Sequence, residues 1–359
     1  MKNASTQQNS RKVYLDLLRI IAIYMVLFTH TASKGFSFFA VSQYSSFYPL
    51  YLFVSVLIKI AVPTFFMISG TLLLGKNEPL RVLLKKRVVK YLIVLIFASL
   101  SMYLYTCFRA DTTKFSISGF FKALNSVKIT TAYWYLYAYL AFLLMLPLLR
   151  KLAQSLSNRE FEWMIILMVA LGVVQIIQFI AFKGSLTYNK NFSFFITQNY
   201  IFYPLMGYYF DRKINSDHLS RRKIILLWII SFIVICISCY MTDYKCTLTG
   251  DWRESTAQTF FGTFIFIPTI TLFVTAKHIF TKCRVSESIK NTISKIGATT
   301  FGIFLIERIC RAETQFVFDF LKPYIHTFPA CLVWIFVACV FGCVIILLLK
   351  KIPIINKFI

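Results

Sequence analysis

Apolar stretches of about twenty residues recur along this chain, and at about 1.5 Å of rise per residue each can cross the hydrocarbon of a bilayer as one helix. No other feature limits the fold as much. Lipid offers no hydrogen bonds, so the backbone of each span must satisfy itself, and a single apolar run does so as an α-helix. The runs fall at 13–31, 58–75, 90–108, 133–149, 162–182, 196–211, 223–241, 258–276, 294–313 and 330–349. The sixth is short and the ninth is interrupted by charge. The pattern predicts an all-α polytopic membrane bundle of about ten transmembrane helices. With 58% hydrophobic and 15% charged residues over 359 positions, a soluble domain is excluded. A mean hydropathy of +0.68 says the same.

The first dozen residues, MKNASTQQNSRK, are polar and carry no apolar core of a cleavable signal. With no internal repeat and no low-complexity tract, the expected organisation is a polar cytoplasmic N-terminus (1–12), one membrane domain (13–349) and a basic cytoplasmic tail (350–359). The formal net charge of +25 does not point to nucleic acid, because the lysines and arginines form short clusters between apolar runs. Such clusters orient a protein in the bilayer and meet anionic lipid heads. Counting alternate segments with the N-terminus inside gives roughly 25 cations on the cytoplasmic side and roughly 11 outside, which places both termini in the cytoplasm. The segment 109–132 fits that orientation worst.

Charges within apolar spans are expensive and by default mark an internal pair or a functional site. In LDLLRIIAIYMVLFTH (15–30), Asp16 and Arg19 are three apart and can pair on one helix face. His30 follows Arg19 by close to three turns, ~16 Å along the same face. An interfacial ion pair with a headgroup histidine accounts for these residues as well as a functional wall does. In LRVLLKKRVVKYL (80–92), Lys85, Lys86, Arg87 and Lys90 could be a plain orientation signal or an anion clamp for phosphates at the membrane surface. In FGIFLIERICRAE (301–313), Glu307 can pair with Arg311, with Arg308 alongside. Glu307 lies ~18 Å above Lys295, near the depth of His30. A carboxylate and an imidazole at one depth could form an acid–base dyad; neutralisation of a neighbouring arginine is the equal alternative.

Two other stretches read as packing. AVPTFFMISGTLLLG (61–75) has two glycines that permit close helix approach, and YWYLYAYLAFLLMLPLL (133–149) is an aromatic-rich span with Pro147 near its end. Cys236 and Cys239 have metal-like spacing but no second pair and no nearby histidine. The nine cysteines are expected to be small apolar fillers, and no metal site is expected.

In order along the chain, LDLLRIIAIYMVLFTH, KIAVPTFFMISGTLLL, KKRVVK, YWYLYAYLAFLLMLPLL, YIFYPLMGYYF and TTFGIFLIE resemble the acyltransferase-3 family of membrane O-acyltransferases. The layout is most similar to standalone members that O-acetylate surface glycans, of the enterobacterial-common-antigen type. The resemblance implies transfer of an acyl group, usually acetyl from cytoplasmic acetyl-CoA, to a hydroxyl of a surface or lipid-linked glycan. It implies no tightly bound cofactor, an acyl-CoA co-substrate, a glycan or glycolipid acceptor with possible glycan-assembly proteins as partners, and a bacterial cytoplasmic membrane. By match, His30 is the essential histidine, Arg19 its motif partner and Arg87 the first arginine of the family's Arg-x-x-Arg pair. Lys90 replaces the second arginine, and Glu307 stands where many members have a histidine. Lys85 and Lys86 would assist at the phosphates, and Asp16 would be a structural pair for Arg19. The alternatives are a transporter or flippase for a glycan lipid or anion, a non-catalytic partner subunit, and succinyl in place of acetyl transfer.

Overall fold

The structure is a computed structural model that describes residues 11–109, 115–126, 129–182, 199–215 and 220–358. Among these residues the regular structure is entirely helical, with no strand. The chain starts with α1 (Val13–Thr29) and α2 (Tyr48–Leu73), followed by α3 (Leu80–Arg109), α4 (Ile117–Asn125), α5 (Thr131–Ser155) and α6 (Asn158–Ala181). Next come α7 (Asn199–Tyr208), α8 (Arg221–Thr249) and α9 (Phe266–Lys282). Three shorter pieces follow, α10 (Glu287–Gly297), α11 (Thr300–Leu305) and α12 (Glu307–Glu313), then α13 (Gln315–Leu321) and α14 (Thr327–Leu349).

Six helices among the described residues are long and apolar enough to cross a membrane: α2, α3, α5, α6, α8 and α14. They overlie the second, third, fourth, fifth, seventh and tenth expected spans. The expected first and eighth spans are helices of 17 residues, α1 and α9. The eighth is displaced from 258–276 because Phe264 adopts a positive φ of 55°, which no continuous helix tolerates. The helix therefore begins after it, with Pro268 in the first turn, where a missing N–H breaks no helical bond. The sixth expected span meets α7, and its first residues (196–198) lie outside the described residues. The ninth is not one helix. It is broken at 298–299 and again at Ile306, whose φ of −113° and ψ of 19° end α11 just before Glu307.

Burial sorts the helices into an inner and an outer set. In the most apolar window of α2, 67% of residues are buried inside the protein, against 17% for α6, so α2 is an inner helix and α6 a rim helix that leaves most of its surface to lipid. α1 is the axis of the inner set and packs against α2, α9, α10, α11 and α14.

One glycine of the second span, Gly70, gives the close helix approach expected there, opposite Gly207 of α7. A Cβ on Gly70 would overlap the backbone of Pro204 in α7, and a Cβ on Gly207 would overlap the backbone of Met67 in α2. The two backbones are therefore in direct contact, and the Thr71 hydroxyl donates across it to the Gly207 carbonyl at 2.9 Å. Gly70→Ala is expected to lower the melting temperature of the detergent-solubilised protein, because overpacking of about 1–3 kcal/mol exceeds the roughly 1 kcal/mol that alanine gains in helix propensity. Gly262→Ala, where an added Cβ meets nothing within 4 Å, is expected to leave it unchanged.

Candidate functional site

Three segments far apart in sequence converge on a cavity of about 470 Å³. α1 contributes Arg19, the start of α3 contributes Lys86, Arg87 and Lys90, and the break between α10 and α11 contributes Gly297, Ala298 and Thr300. The rest of its wall is largely aromatic, from Tyr91, Tyr135, Tyr139, Phe301 and Phe304, with Phe65 and Ser69 of α2. The size falls within the range of about 300–1,000 Å³ found for small-molecule sites. The basic run presents itself this way because Leu84–Val89 winds as a π-helix, whose wider turn changes which side chains face inward. Lys85 is not among the residues that line the cavity.

The two arginines of this cavity are held by carboxylates outside its lining. Glu78, in the connection before α3, accepts two hydrogen bonds from Arg87, at 2.9 and 2.5 Å, and one from Arg150 of α5 at 2.9 Å. Arg150 is buried and spends its Nε on the Leu73 carbonyl at 2.9 Å, which satisfies the C-terminal end of α2. The Arg87 hydrogen bonds, then those of Arg150, hold the Glu78 carboxyl down at about 2, so it is ionised at any physiological pH. Asp16 plays the same part for Arg19. It is 1% exposed and accepts at 2.6 Å from both Arg19 and Arg11. The expected Asp16–Arg19 pair is thus present, with Arg11 as a third member.

The second cluster lies at the other end of α1. His30 terminates the helix, and its carbonyl accepts from Arg311 Nη1 at 2.7 Å. The same guanidinium donates from Nε to Glu307 Oε2 at 2.8 Å. One arginine therefore spans the two residues expected to share a depth. Glu307 is 1% exposed, and its second oxygen, Oε1, is buried without a hydrogen-bond partner among the described residues. The break at Ile306 puts Glu307 on the first turn of α12, where a helix N-terminus favours negative charge. The break also frees the Leu305 carbonyl, which the Tyr133 hydroxyl satisfies at 2.6 Å. Arg308 turns away and donates to the Ile129 carbonyl at 3.3 Å.

The structure thus gathers Arg19, Lys86, Arg87 and Lys90 around one cavity, and joins His30 to Glu307 through Arg311. It does not bring His30 or Glu307 into the cavity lining. In the cavity wall the Tyr135 ring sits 5.2 Å from Phe66 and 5.5 Å from Phe304. Sequence reasoning missed Glu78 and Arg150. Their only signal was that Glu78 is one of 14 acidic residues in the chain and stands nine positions before Arg87. It missed the bridging role of Arg311 as well.

A family model described as an acyltransferase domain matches residues 12–349. No curated protein and no solved structure matches the chain.

Glu78→Gln is expected to destabilise the protein by about 1–3 kcal/mol, because it leaves the buried Arg150 without its counter-ion. Thermal denaturation in detergent reads this. The loss should persist down to pH 5 and shrink only below about pH 4.5. A carboxylate depressed to about 2 contributes stability above its unfolded value, and that contribution fades as pH falls towards the folded one.

Proposed function

The chain belongs to the acyltransferase-3 family, and from that membership we propose that it moves an acyl group, acetyl in the first instance, from acyl-CoA to a hydroxyl of a surface or lipid-linked glycan. The protein is a membrane acyltransferase; the donor, the acceptor and the residue roles are our reading. The observation that carries it is the convergence of Arg19, Lys86, Arg87 and Lys90 on one cavity at the basic end of the bundle.

On this reading the basic end faces the cytoplasm of a bacterial inner membrane, as the positive-inside rule directs. The CoA phosphates rest at the mouth on Arg87, Lys86 and Lys90, with Lys85 adding charge from the neighbouring turn. Glu78 holds the Arg87 fork in place, so little side-chain freedom remains to be lost on binding. The pantetheine arm runs inward past Arg19 along the tyrosines, and the thioester is delivered towards the His30 end. His30 takes the proton of an acceptor hydroxyl, whose oxygen attacks the thioester carbonyl. A C–O ester bond forms, the C–S bond breaks, and the proton passes to the departing CoA sulfur. Glu307, fixed by Arg311, supplies negative charge beside the imidazolium that forms. A protein able to do this needs no tightly bound cofactor.

His30→Ala is expected to cut acylation of membrane glycan by about 10²–10⁴-fold at unchanged expression, read by mass spectrometry of cell-surface polysaccharide. Undiminished acylation would remove His30 from the mechanism. Arg87→Ala is expected to abolish binding of radiolabelled acetyl-CoA to the purified protein. Retained binding would place the donor elsewhere.

A further inference from the structure

Ala298, in the break after α10, lines a second cavity as well as the first. The second is larger, at about 980 Å³, and its walls are far more cationic. Arg11 and Lys12 reach it from the approach to α1, Lys277 from α9, Lys290 and Lys295 from α10, and Lys350 from just beyond α14. Against these six cations stand two carboxylates, Asp211 and Glu287.

Both carboxylates are already engaged. Asp211 accepts from Lys12 and from the Tyr14 hydroxyl, each at 2.5 Å, and Glu287 accepts from Lys290 at 2.7 Å. The remaining cations are held mostly by backbone. Lys277 donates at 2.9 Å to the carbonyls of Phe210, Asp211 and Ile214, which close the π-turn after α7. Arg11 donates to the Ser294 carbonyl at 2.7 Å, and Lys350 to the Ala298 carbonyl at 2.6 Å. Arg11 also pairs with Asp16, outside the cavity lining, whereas carbonyls fix Lys277 and Lys350 without neutralising them. Burial, and then the neighbouring Arg11, push the Lys350 ammonium below its ordinary value, as crowded cations short of counter-ions do. Each ammonium has three donors, so Lys12, Lys290 and Lys350 keep some in reserve after the bonds named here.

One side of the cavity is apolar. Phe280 and Leu347 line it, and Leu347 lies half exposed on the surface of α14, one of the helices long enough to span a membrane. The cavity therefore opens where a spanning helix ends, at the level at which lipid headgroups lie.

We propose that this second cavity binds a phosphate group, separately from the Arg87 cavity. Several point-charge ammoniums converging from different directions suit a tetrahedral oxyanion, and the apolar side at Leu347 suits the phosphodiester of an anionic phospholipid whose acyl chains run down α14. A soluble phosphate would use the same cations without touching Leu347. The site stands whether or not the first cavity takes acyl-CoA.

The test measures the melting temperature of the full-length protein in two arms. One compares phosphatidylcholine nanodiscs with and without phosphatidylglycerol; the other adds pyrophosphate to the protein in neutral detergent. The wild type is expected to be stabilised in at least one arm, and Lys290→Gln/Lys295→Gln to weaken the apparent affinity about tenfold or more. A response to phosphatidylglycerol assigns the phosphate to lipid, and a response to pyrophosphate alone assigns it to a soluble ligand; both support the site. Asn291→Asp, an isosteric change that adds negative charge to the same wall, should weaken binding too and covers the case in which the double variant folds poorly. Arg221→Gln/Arg222→Gln removes two exposed cations elsewhere and should change nothing. The proposal fails if neither arm stabilises the wild type, if the 221/222 variant loses as much as the 290/295 variant, or if Arg87→Ala removes the response while the 290/295 variant keeps it.

Discussion

A carboxylate taken almost wholly out of water survives as an anion only when cations meet its oxygens, and the packing around Asp16 follows from that requirement. Its two oxygens take one arginine each, Arg11 and Arg19. Arg11 then extends to the Ser294 carbonyl of α10, and that helix ends at Gly297, where a Cβ would come within 2.5 Å of the Asp16 Cβ. One neutralised ion thus draws the end of α10 against α1. The residues brought in by this approach, Gly297 and Ala298, are the ones that form the cavity wall beside Arg19. Glu78 repeats the device across α2, α3 and α5 by tying Arg87 to the buried Arg150. The acids near the cavity thus hold its two arginines, Arg19 and Arg87, in place from behind, each with a second arginine outside the lining.

This division explains how much could be read in advance. Pairs within one helix were legible, because three- and four-residue spacing fixes a shared face: Asp16 with Arg19, and Glu307 with Arg311. The basic run was legible as a cluster, and the glycines of 61–75 as a site of close approach. The partners that come from elsewhere in the chain were not. Arg150 and Lys277 look like ordinary members of inner loops or helix ends, yet each is buried on backbone carbonyls that only the assembled bundle places beside them. The π-turns at 84–89 and 209–213 were also invisible, since their residues are compatible with an α-helix and the wider winding is imposed by packing. Hydropathy overran at 258–276 and 294–313 for a related reason. An apolar window does not register a positive φ at Phe264, where the neighbours remain hydrophobic, nor does it turn the charges after Ile306 into a helix break.

The break before Glu307 has consequences beyond topology. A continuous helix would have spent the Leu305 carbonyl internally, and Glu307 would have sat in mid-helix. Broken, the run exposes a carbonyl that recruits Tyr133 from α5 and gives Glu307 a helix start. Tyr133 and Tyr135 lie two residues apart at the start of α5. The first fastens the break, and the second packs its ring against Phe304 on the cavity side of the same break. α5 and α11 are therefore stitched together at this break.

The aromatic part of the cavity lining suits the acyl transfer we propose. An acyl thioester held in an open polar channel would meet water as readily as an acceptor hydroxyl, so a transferase gains from keeping its cationic donor end apart from its basic acceptor end. The Oε1 oxygen of Glu307 is buried and without a hydrogen-bond partner among the described residues. An unsatisfied carboxylate oxygen at such a position is costly in the resting protein. In the acyl transfer we propose, that cost is offset when a donor such as an imidazolium or a sugar hydroxyl arrives beside Glu307.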